Sequence, residues 1–94
     1  MAAAWHLRMA PHTSQSMIST AANVHLLCAM PNRLIYEADI SDTNPWRDQL
    51  AANPLLVKDG HIEPNEEPGL GLQIDEEMLT RFAAIPGSCY VPPR

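Results

Sequence analysis

The sequence predicts an α/β fold built around a parallel sheet. Residues 7–10 form a short apolar run that could be a strand buried on both faces, and residues 33–36 have the aliphatic and aromatic composition of a strand. Between them, residues 17–30 contain neither Gly nor Pro and carry apolar side chains at helical spacing. A strand, a helix and a second strand in this order form a βαβ unit, whose two strands must run parallel.

The predicted helix has signals at both ends. Thr13, Ser14 and Ser16 can each cap its N-terminus. Pro31 stops it, because proline cannot continue a helix beyond its first turn. Two neighbouring apolar strips along the helix are expected to pack against other elements: Met17, Ala21, Val24 and Cys28 on one, and Ile18, Ala22 and Leu26 on the other.

Short elements are predicted after residue 44. Residues 46–52 have the composition of a helical turn, and Asp59-Gly60 between two short apolar runs favours a hairpin with a type I′ turn. Asp75 can cap a last helix that extends to about Phe82. The tail from Pro86 onwards is expected to be irregular.

The composition excludes several classes of protein. A net charge of −5 over 94 residues argues against a nucleic-acid-binding surface, and no stretch approaches the ~20 apolar residues that span a bilayer. Cys28 and Cys89 lie too far apart for a zinc motif or a disulfide framework, which favours reduced thiols and a cytoplasmic location.

Two titratable residues follow the predicted strands. His12 comes just after the first and Glu37 just after the second, and sites in parallel α/β proteins form at these carboxyl ends. A histidine there can act as a general acid or base, or it can be a structural or solvated side chain. Glu37 can bind a substrate or a metal, or form an ordinary salt bridge. Because adjacent strands lie ~4.8 Å apart, both side chains could face one pocket.

An ordered set of short motifs resembles the C-terminal end of the mandelate racemase/muconate lactonizing enzyme family, in its mandelate racemase-like branch within the enolase superfamily. These motifs are Met9-Ala-Pro-His12, Ala21-Ala-Asn-Val-His-Leu26, Met30-Pro-Asn32, Ile35-Tyr-Glu37, Asp59-Gly-His-Ile62 and Pro68-Gly-Leu-Gly71. The resemblance implies the last βα units of a modified TIM-type (β/α) barrel, which these residues alone would leave incomplete. Residues 1–44 would hold strand 7, a helix and strand 8, and 45–94 would be a C-terminal segment that packs on the capping domain.

The resemblance also implies chemistry. His12 matches a histidine that moves the proton on the carbon beside a carboxylate, and Glu37 matches an acid that hydrogen-bonds the substrate. The reaction would be acid-sugar dehydration or racemisation of a small carboxylate, with Mg²⁺ as cofactor in a homo-oligomeric enzyme. The family's metal-binding acids have no counterpart in these 94 residues, so the chain alone is expected to be inactive. A small non-enzymatic interaction module, suggested by the short length and the acidic hairpin region, is the alternative.

Overall fold

A computed structural model describes residues 1–82 of the chain. Its elements, in order, are a 3₁₀ helix Ala2–Trp5, strand β1 His12–Thr13, helix α1 Met17–Ala29, strand β2 Glu37–Ala38, helix α2 Pro45–Asp48 and helix α3 Glu76–Arg81. Strands β1 and β2 form a parallel pair, which confirms the α/β fold with a parallel sheet. Cys89 and the tail predicted to be irregular lie outside the described residues.

The parallel pairing contains a one-residue bulge. His12 pairs with Glu37, and an isolated parallel bridge joins Met9 to Arg33. Three positions separate Met9 from His12 but four separate Arg33 from Glu37, so one extra residue lies on the second side of the ladder. Pro11 falls within this stretch and has no N–H for the ladder. Its carbonyl still accepts a hydrogen bond from the Glu37 N–H at 3.0 Å.

The regular strands lie later in the chain than the sequence predicts. Runs 7–10 and 33–36 contribute one bridge, and three of their apolar side chains remain largely exposed: Leu7 at 59%, Leu34 at 53% and Ile35 at 62%. These runs have the composition of buried strands, but no further strand or helix of the described chain covers them. A buried strand needs neighbours on its faces and edges, and composition alone cannot supply them.

Helix α1 begins and ends close to its predicted limits. The Ser16 side chain caps it by accepting from the Ser19 N–H at 3.4 Å. The side chains that α1 buries are Met17, Thr20, Ala21, Val24 and Leu27. The first predicted strip is therefore confirmed except at Cys28, which is exposed. Cys28 lies on the same face of the helix as Val24 but one turn further along. Val24 is the last residue of α1 in the core cluster, so no core residue of the described chain covers Cys28. The second strip, at residues 18, 22 and 26, is exposed.

The hydrophobic core joins α1 to the C-terminal segment. Its buried members are Met17, Ala21, Val24, Ala51 and Leu55, and the partly buried Ile62 and Leu72 pack against them. The small Ala21 is fully buried, which allows close approach of the segment that carries Ala51 and Leu55. Residues on both sides of position 44 therefore share one core.

Short-range signals account for the remaining elements. Asp59 and Gly60 have φ of 50° and 75°, as a type I′ turn requires, and paired 2.8 Å hydrogen bonds join Lys58 and His61 across it. The Asp75 side chain caps α3 as predicted.

Helix α2 is shorter than the predicted 46–52. The chain leaves the helix because Leu50 and Ala52 instead form backbone hydrogen bonds with the segment 73–75, in an antiparallel arrangement. This long-range pairing has no signature in the local sequence.

Gly71 is expected to tolerate a side chain less well than Gly69, which has the same backbone conformation and serves as its control. Gly69 and Gly71 both have φ of 71°, which strains any residue with a Cβ. A Cβ on Gly71 would lie 2.7 Å from the Asn65 carbonyl oxygen, whereas nothing lies within 4 Å of one on Gly69. We therefore expect Gly71→Ala to lower the free energy of unfolding by about 1–3 kcal/mol more than Gly69→Ala, from overpacking. Urea unfolding of both variants measures the difference, and equal losses would contradict the predicted clash.

Candidate functional site

The two candidate site residues lie side by side at the ends of the paired strands. His12 and Glu37 are register partners in the parallel ladder, and both are exposed. Partners in a parallel ladder project on the same face of a sheet. The structure thus brings together the two residues that the sequence singles out.

A hydrogen bond fixes the orientation of the His12 ring. Its Nδ1 lies 3.0 Å from the backbone carbonyl oxygen of Glu37. A carbonyl oxygen only accepts, so Nδ1 must carry the proton in this bond. The neutral ring then has its lone pair on Nε2, the nitrogen that can accept a proton from another molecule.

The depression beside His12 is shallow and open, and most of the residues that line it are of polar type. It has a volume of about 440 Å³, and Glu37 is not among its lining residues, which are His12, Thr13, Ser14, Gln15, Ser19, Ala22 and Asn23. His12 forms one wall, and the first turns of α1 with the loop before it form the rest. These residues give access to His12 without enclosing a substrate.

A second polar cluster, which was not predicted from the sequence, lies just beyond Glu37. The Asp39 carboxylate accepts four hydrogen bonds: from the Ser41 N–H at 3.0 Å, the Ser41 hydroxyl at 2.7 Å, the Asn44 amide at 3.0 Å and the Arg47 guanidinium at 3.2 Å. Three of these bonds go to Oδ2 and one to Oδ1, so most of the acceptor positions of Asp39 are used within the cluster.

The Asn44 side chain links this cluster to the loop that follows the strand carrying His12. Its Oδ1 accepts from the Arg47 N–H at 3.2 Å and so caps α2. Its Nδ2 donates to the backbone carbonyls of Ser14 at 2.8 Å and Gln15 at 3.0 Å. The sequence signal for this residue was available, because Asn followed by Pro is a typical helix N-cap and N1 pair.

The hydrogen bonds to Asp39 change its acidity. Donation by Asn44, followed by donation from the Ser41 backbone and hydroxyl and the charge of Arg47, lowers the pKa of Asp39 from 3.8 to about 2. These effects outweigh partial burial, which acts in the opposite direction. Asp39 therefore remains ionised at neutral pH and does not exchange protons with a substrate there.

This shift predicts an acid-dependent loss of stability. The folded chain binds the Asp39 proton less tightly than the unfolded chain, so the stabilisation is complete above about pH 4 and disappears as the pH falls towards 2. We expect Asp39→Asn to remove this part of the pH dependence. The measurement is the difference in unfolding free energy between the original chain and the variant from pH 6 to pH 2. A difference that stays constant through this range would rule out the shifted pKa.

Other chemistry has little support within residues 1–82. No group of three or more His, Cys, Asp or Glu side chains there has the arrangement of a metal site, so these residues do not fit Mg²⁺. Cys28 is a free, exposed thiol. His25 lies within α1 and contacts the Leu70 carbonyl at 3.4 Å, which agrees with a packing role. Among the described helices, none has the length and apolar character needed to cross a membrane.

A family model described as enolase C-terminal domain-like matches residues 1–78. The chain belongs to this family. The match includes β1, α1 and β2 with both candidate site residues, and it ends within α3. The predicted resemblance to the mandelate racemase-like enzymes of the enolase superfamily is thereby confirmed.

Named relatives include acid-sugar dehydratases and a cycloisomerase. A D-galactonate dehydratase family member of Streptomyces bingchenggensis is 32% identical over 98% of the chain and 22% of its own length. The D-galactonate dehydratase of Xanthomonas euvesicatoria is 35% identical over 86% of the chain and 22% of its own length. The chloromuconate cycloisomerase of Pseudomonas putida is 35% identical over 71% of the chain and 18% of its own length.

Solved structures give the same family. An enolase superfamily member from Polaromonas sp. JS666 superposes with a TM-score of 0.79 at 34% identity, over 98% of the chain and 24% of that protein. A candidate mandelate racemase from Bordetella bronchiseptica, complexed with 2-oxoglutarate/phosphate, gives a TM-score of 0.79 at 36% identity. It covers 92% of the chain and 23% of that protein. The chain thus spans less than a quarter of these relatives.

Proposed function

We propose that this chain forms the C-terminal part of a barrel enzyme that removes the proton beside a carboxylate, as in acid-sugar dehydration. The observation that carries the proposal is the pairing of His12 with Glu37 at the ends of two parallel strands. Most of this chain aligns with dehydratase relatives, but the aligned part is only about a fifth of the length of each relative. A site shared among many strands would explain why these residues alone enclose no pocket.

In this proposal residues 1–44 are the last two strands and the helix between them, and residues 45–94 form the segment that packs on the capping domain. The barrel would be incomplete without the strands that precede these two. The exposure of Leu7, Leu34 and Ile35 supports the arrangement, since neighbouring strands and helices of the barrel would cover such side chains. The resemblance extends the proposal to a cytoplasmic homo-oligomer.

His12 is the proposed acid or base. With Nδ1 bonded to the Glu37 carbonyl, Nε2 can accept the proton from the substrate carbon or return one to a leaving group. The backbone acceptor holds the ring in one orientation without adding a second charge beside it. This orientation places the reactive nitrogen before substrate binding, which lowers the entropic cost of the reaction.

Glu37 is the proposed substrate-binding acid. By the resemblance, Glu37 hydrogen-bonds the substrate carboxylate or its enolate form. The proposed substrate is therefore a small carboxylate or acid sugar. Mg²⁺, which would stabilise the enolate by its charge, requires ligands from other parts of the enzyme, because residues 1–82 do not form a site for it.

Dehydration and racemisation begin with the same proton abstraction. They differ in the second step, because dehydration expels a β-hydroxyl whereas racemisation returns the proton to the other face. The dehydratase names of the Streptomyces and Xanthomonas relatives favour dehydration.

A chimera tests the proposal. Residues 1–94 replace the matching C-terminal segment of the Xanthomonas D-galactonate dehydratase, which supplies the rest of the barrel and the capping domain. We expect the chimera to dehydrate D-galactonate in the presence of Mg²⁺. The control is the same host truncated before the segment, which should be inactive. A chimera that has the circular dichroism spectrum and oligomeric state of the host but no turnover would refute the proposal.

A further inference from the structure

The Asn44 carboxamide contacts the loops that follow both strands. Ser14 and Gln15, whose carbonyls it binds, lie two and three residues after His12. Asp39, which it also binds, lies two residues after Glu37. One side chain therefore connects the chain segments that leave the two candidate site residues.

The orientation of this carboxamide follows from its partners. The three groups near Nδ2 are two carbonyls and a carboxylate, which only accept. The group near Oδ1 is the Arg47 N–H, which only donates. Rotating the amide by half a turn would place oxygen against three acceptors, so only one orientation is compatible with these partners. Nδ2 has two N–H groups for three acceptors, so one N–H is shared between two of them.

Arg47 holds Asp39, the partner of Asn44 in the loop after β2. Its Nη1 lies 3.2 Å from both the carboxylate and the backbone carbonyl of Asp39, and its Nε bonds Asp48 at 2.6 Å. The Asp39 side chain is only 10% exposed and that of Arg47 22%. Asp39 accepts from four donors within the cluster and is ionised at neutral pH, so this cluster suits holding the backbone in place rather than reacting with substrate.

We propose that Asn44, held by Asp39 and Arg47, is a positioning residue that fixes the two loops relative to each other. It thereby keeps the His12 ring on the Glu37 carbonyl. β1 and β2 each contain only two residues, so the strands alone offer few hydrogen bonds to hold their tips together. The positioning role rests on the proposed function for its effect on turnover, but its effect on the His12 ring can be measured without turnover.

Asn44→Ser removes the bonds between the two loops but keeps the cap of α2. Serine is a good N-cap and retains an acceptor for the Arg47 N–H, but its short hydroxyl cannot donate to three acceptors in two loops. Asp75→Ala is the matched control, because it removes the cap of α3, a 3.0 Å bond to the Met78 N–H, far along the chain from both strand tips. Both variants are expected to lose stability, but only Asn44→Ser loses the hydrogen bonds that join the two loops.

The first readout is the tautomer of His12, from ¹⁵N imidazole chemical shifts of the labelled 94-residue chain. We expect the Nδ1–H form in the original chain and in Asp75→Ala, and a shift towards the Nε2–H form in Asn44→Ser. If a variant unfolds the isolated chain, the same spectra are recorded in the chimera. An original chain without the Nδ1–H form, or an Asn44→Ser variant that retains it, would overturn the proposal.

The second readout is the kinetics of the chimera. A displaced His12 should lower kcat by roughly tenfold to a hundredfold with KM little changed, whereas Asp75→Ala should leave both near their original values. Equal kcat in the two variants would also overturn the positioning role. If the original chimera is folded but inactive while the tautomer still shifts in Asn44→Ser, the proposed function fails and the positioning role stands.

Discussion

Replacing His12 by Asn in the chimera is expected to lower kcat by about 10²–10⁴-fold, the usual contribution of a general acid or base. Asparagine retains a polar group of similar size, so the variant should fold and bind substrate with a KM close to the original. The loss then belongs to the transition state and not to substrate binding. Dehydration of D-galactonate and exchange of the proton beside the carboxylate are both measured, because His12 can act in either step.

Glu37→Gln is the comparison for His12→Asn. Glutamine retains a hydrogen-bonding group but removes the charge, so KM should rise and kcat should fall, each more mildly than kcat falls in His12→Asn. Circular dichroism confirms that both variants fold. If His12→Asn dehydrates and exchanges at near-normal rates, His12 is a structural residue at the end of a strand and its assignment as acid or base is wrong.

The isolated 94-residue chain is expected to have no turnover on acid sugars or 2-hydroxy acids. Residues 1–82 contain no metal-site cluster and do not enclose a substrate, so the chain lacks the assembled electrostatic and positional contributions on which catalysis depends. We also expect weak folding, since Leu34 and Ile35 expose surface that suits barrel neighbours. Self-association through the open strand edge is the expected result at high concentration. Turnover, or a monomer that unfolds sharply at a temperature typical of a complete domain of this size, would contradict the proposal that the chain is one segment of a larger enzyme.

Elements with local signals could be predicted from the sequence. Helix α1 lies between a serine cap and Pro31, the hairpin turns at Asp59-Gly60, and α3 begins after Asp75. In each case the decisive residues lie within a few positions of the element that they define. Caps and turns act over that distance, so a short stretch of sequence contains the necessary information.

Features that depend on distant partners could not be predicted. The bulge between Arg33 and Glu37 results from the register against a strand more than twenty positions earlier. The shortening of α2 depends on pairing of Leu50 and Ala52 with residues 73–75. Local composition does not specify such pairings, and the apolar runs 7–10 and 33–36 are more strand-like in sequence than in the structure.

The candidate site was predictable in part. His12 and Glu37 could be chosen because the carboxyl ends of consecutive parallel strands meet at one edge, and the structure places them as register partners. Their chemical roles stay predictions. The bond from the His12 ring to the Glu37 backbone was not predictable, because strand position specifies a side chain's face and not its rotamer. The cap formed by Asn44 had a local signal in Asn44-Pro45, but its bonds to a loop some thirty residues earlier had none.

The most direct test is deuterium incorporation at the carbon beside the carboxylate of D-galactonate in D₂O, together with its dehydration, both monitored by NMR. The three samples are the isolated chain, the truncated host and the chimera. If the chain supplies the C-terminal part of the site, only the chimera incorporates deuterium and forms product. Activity in the isolated chain, activity in the truncated host equal to that of the chimera, or a folded chimera without either reaction would contradict the account.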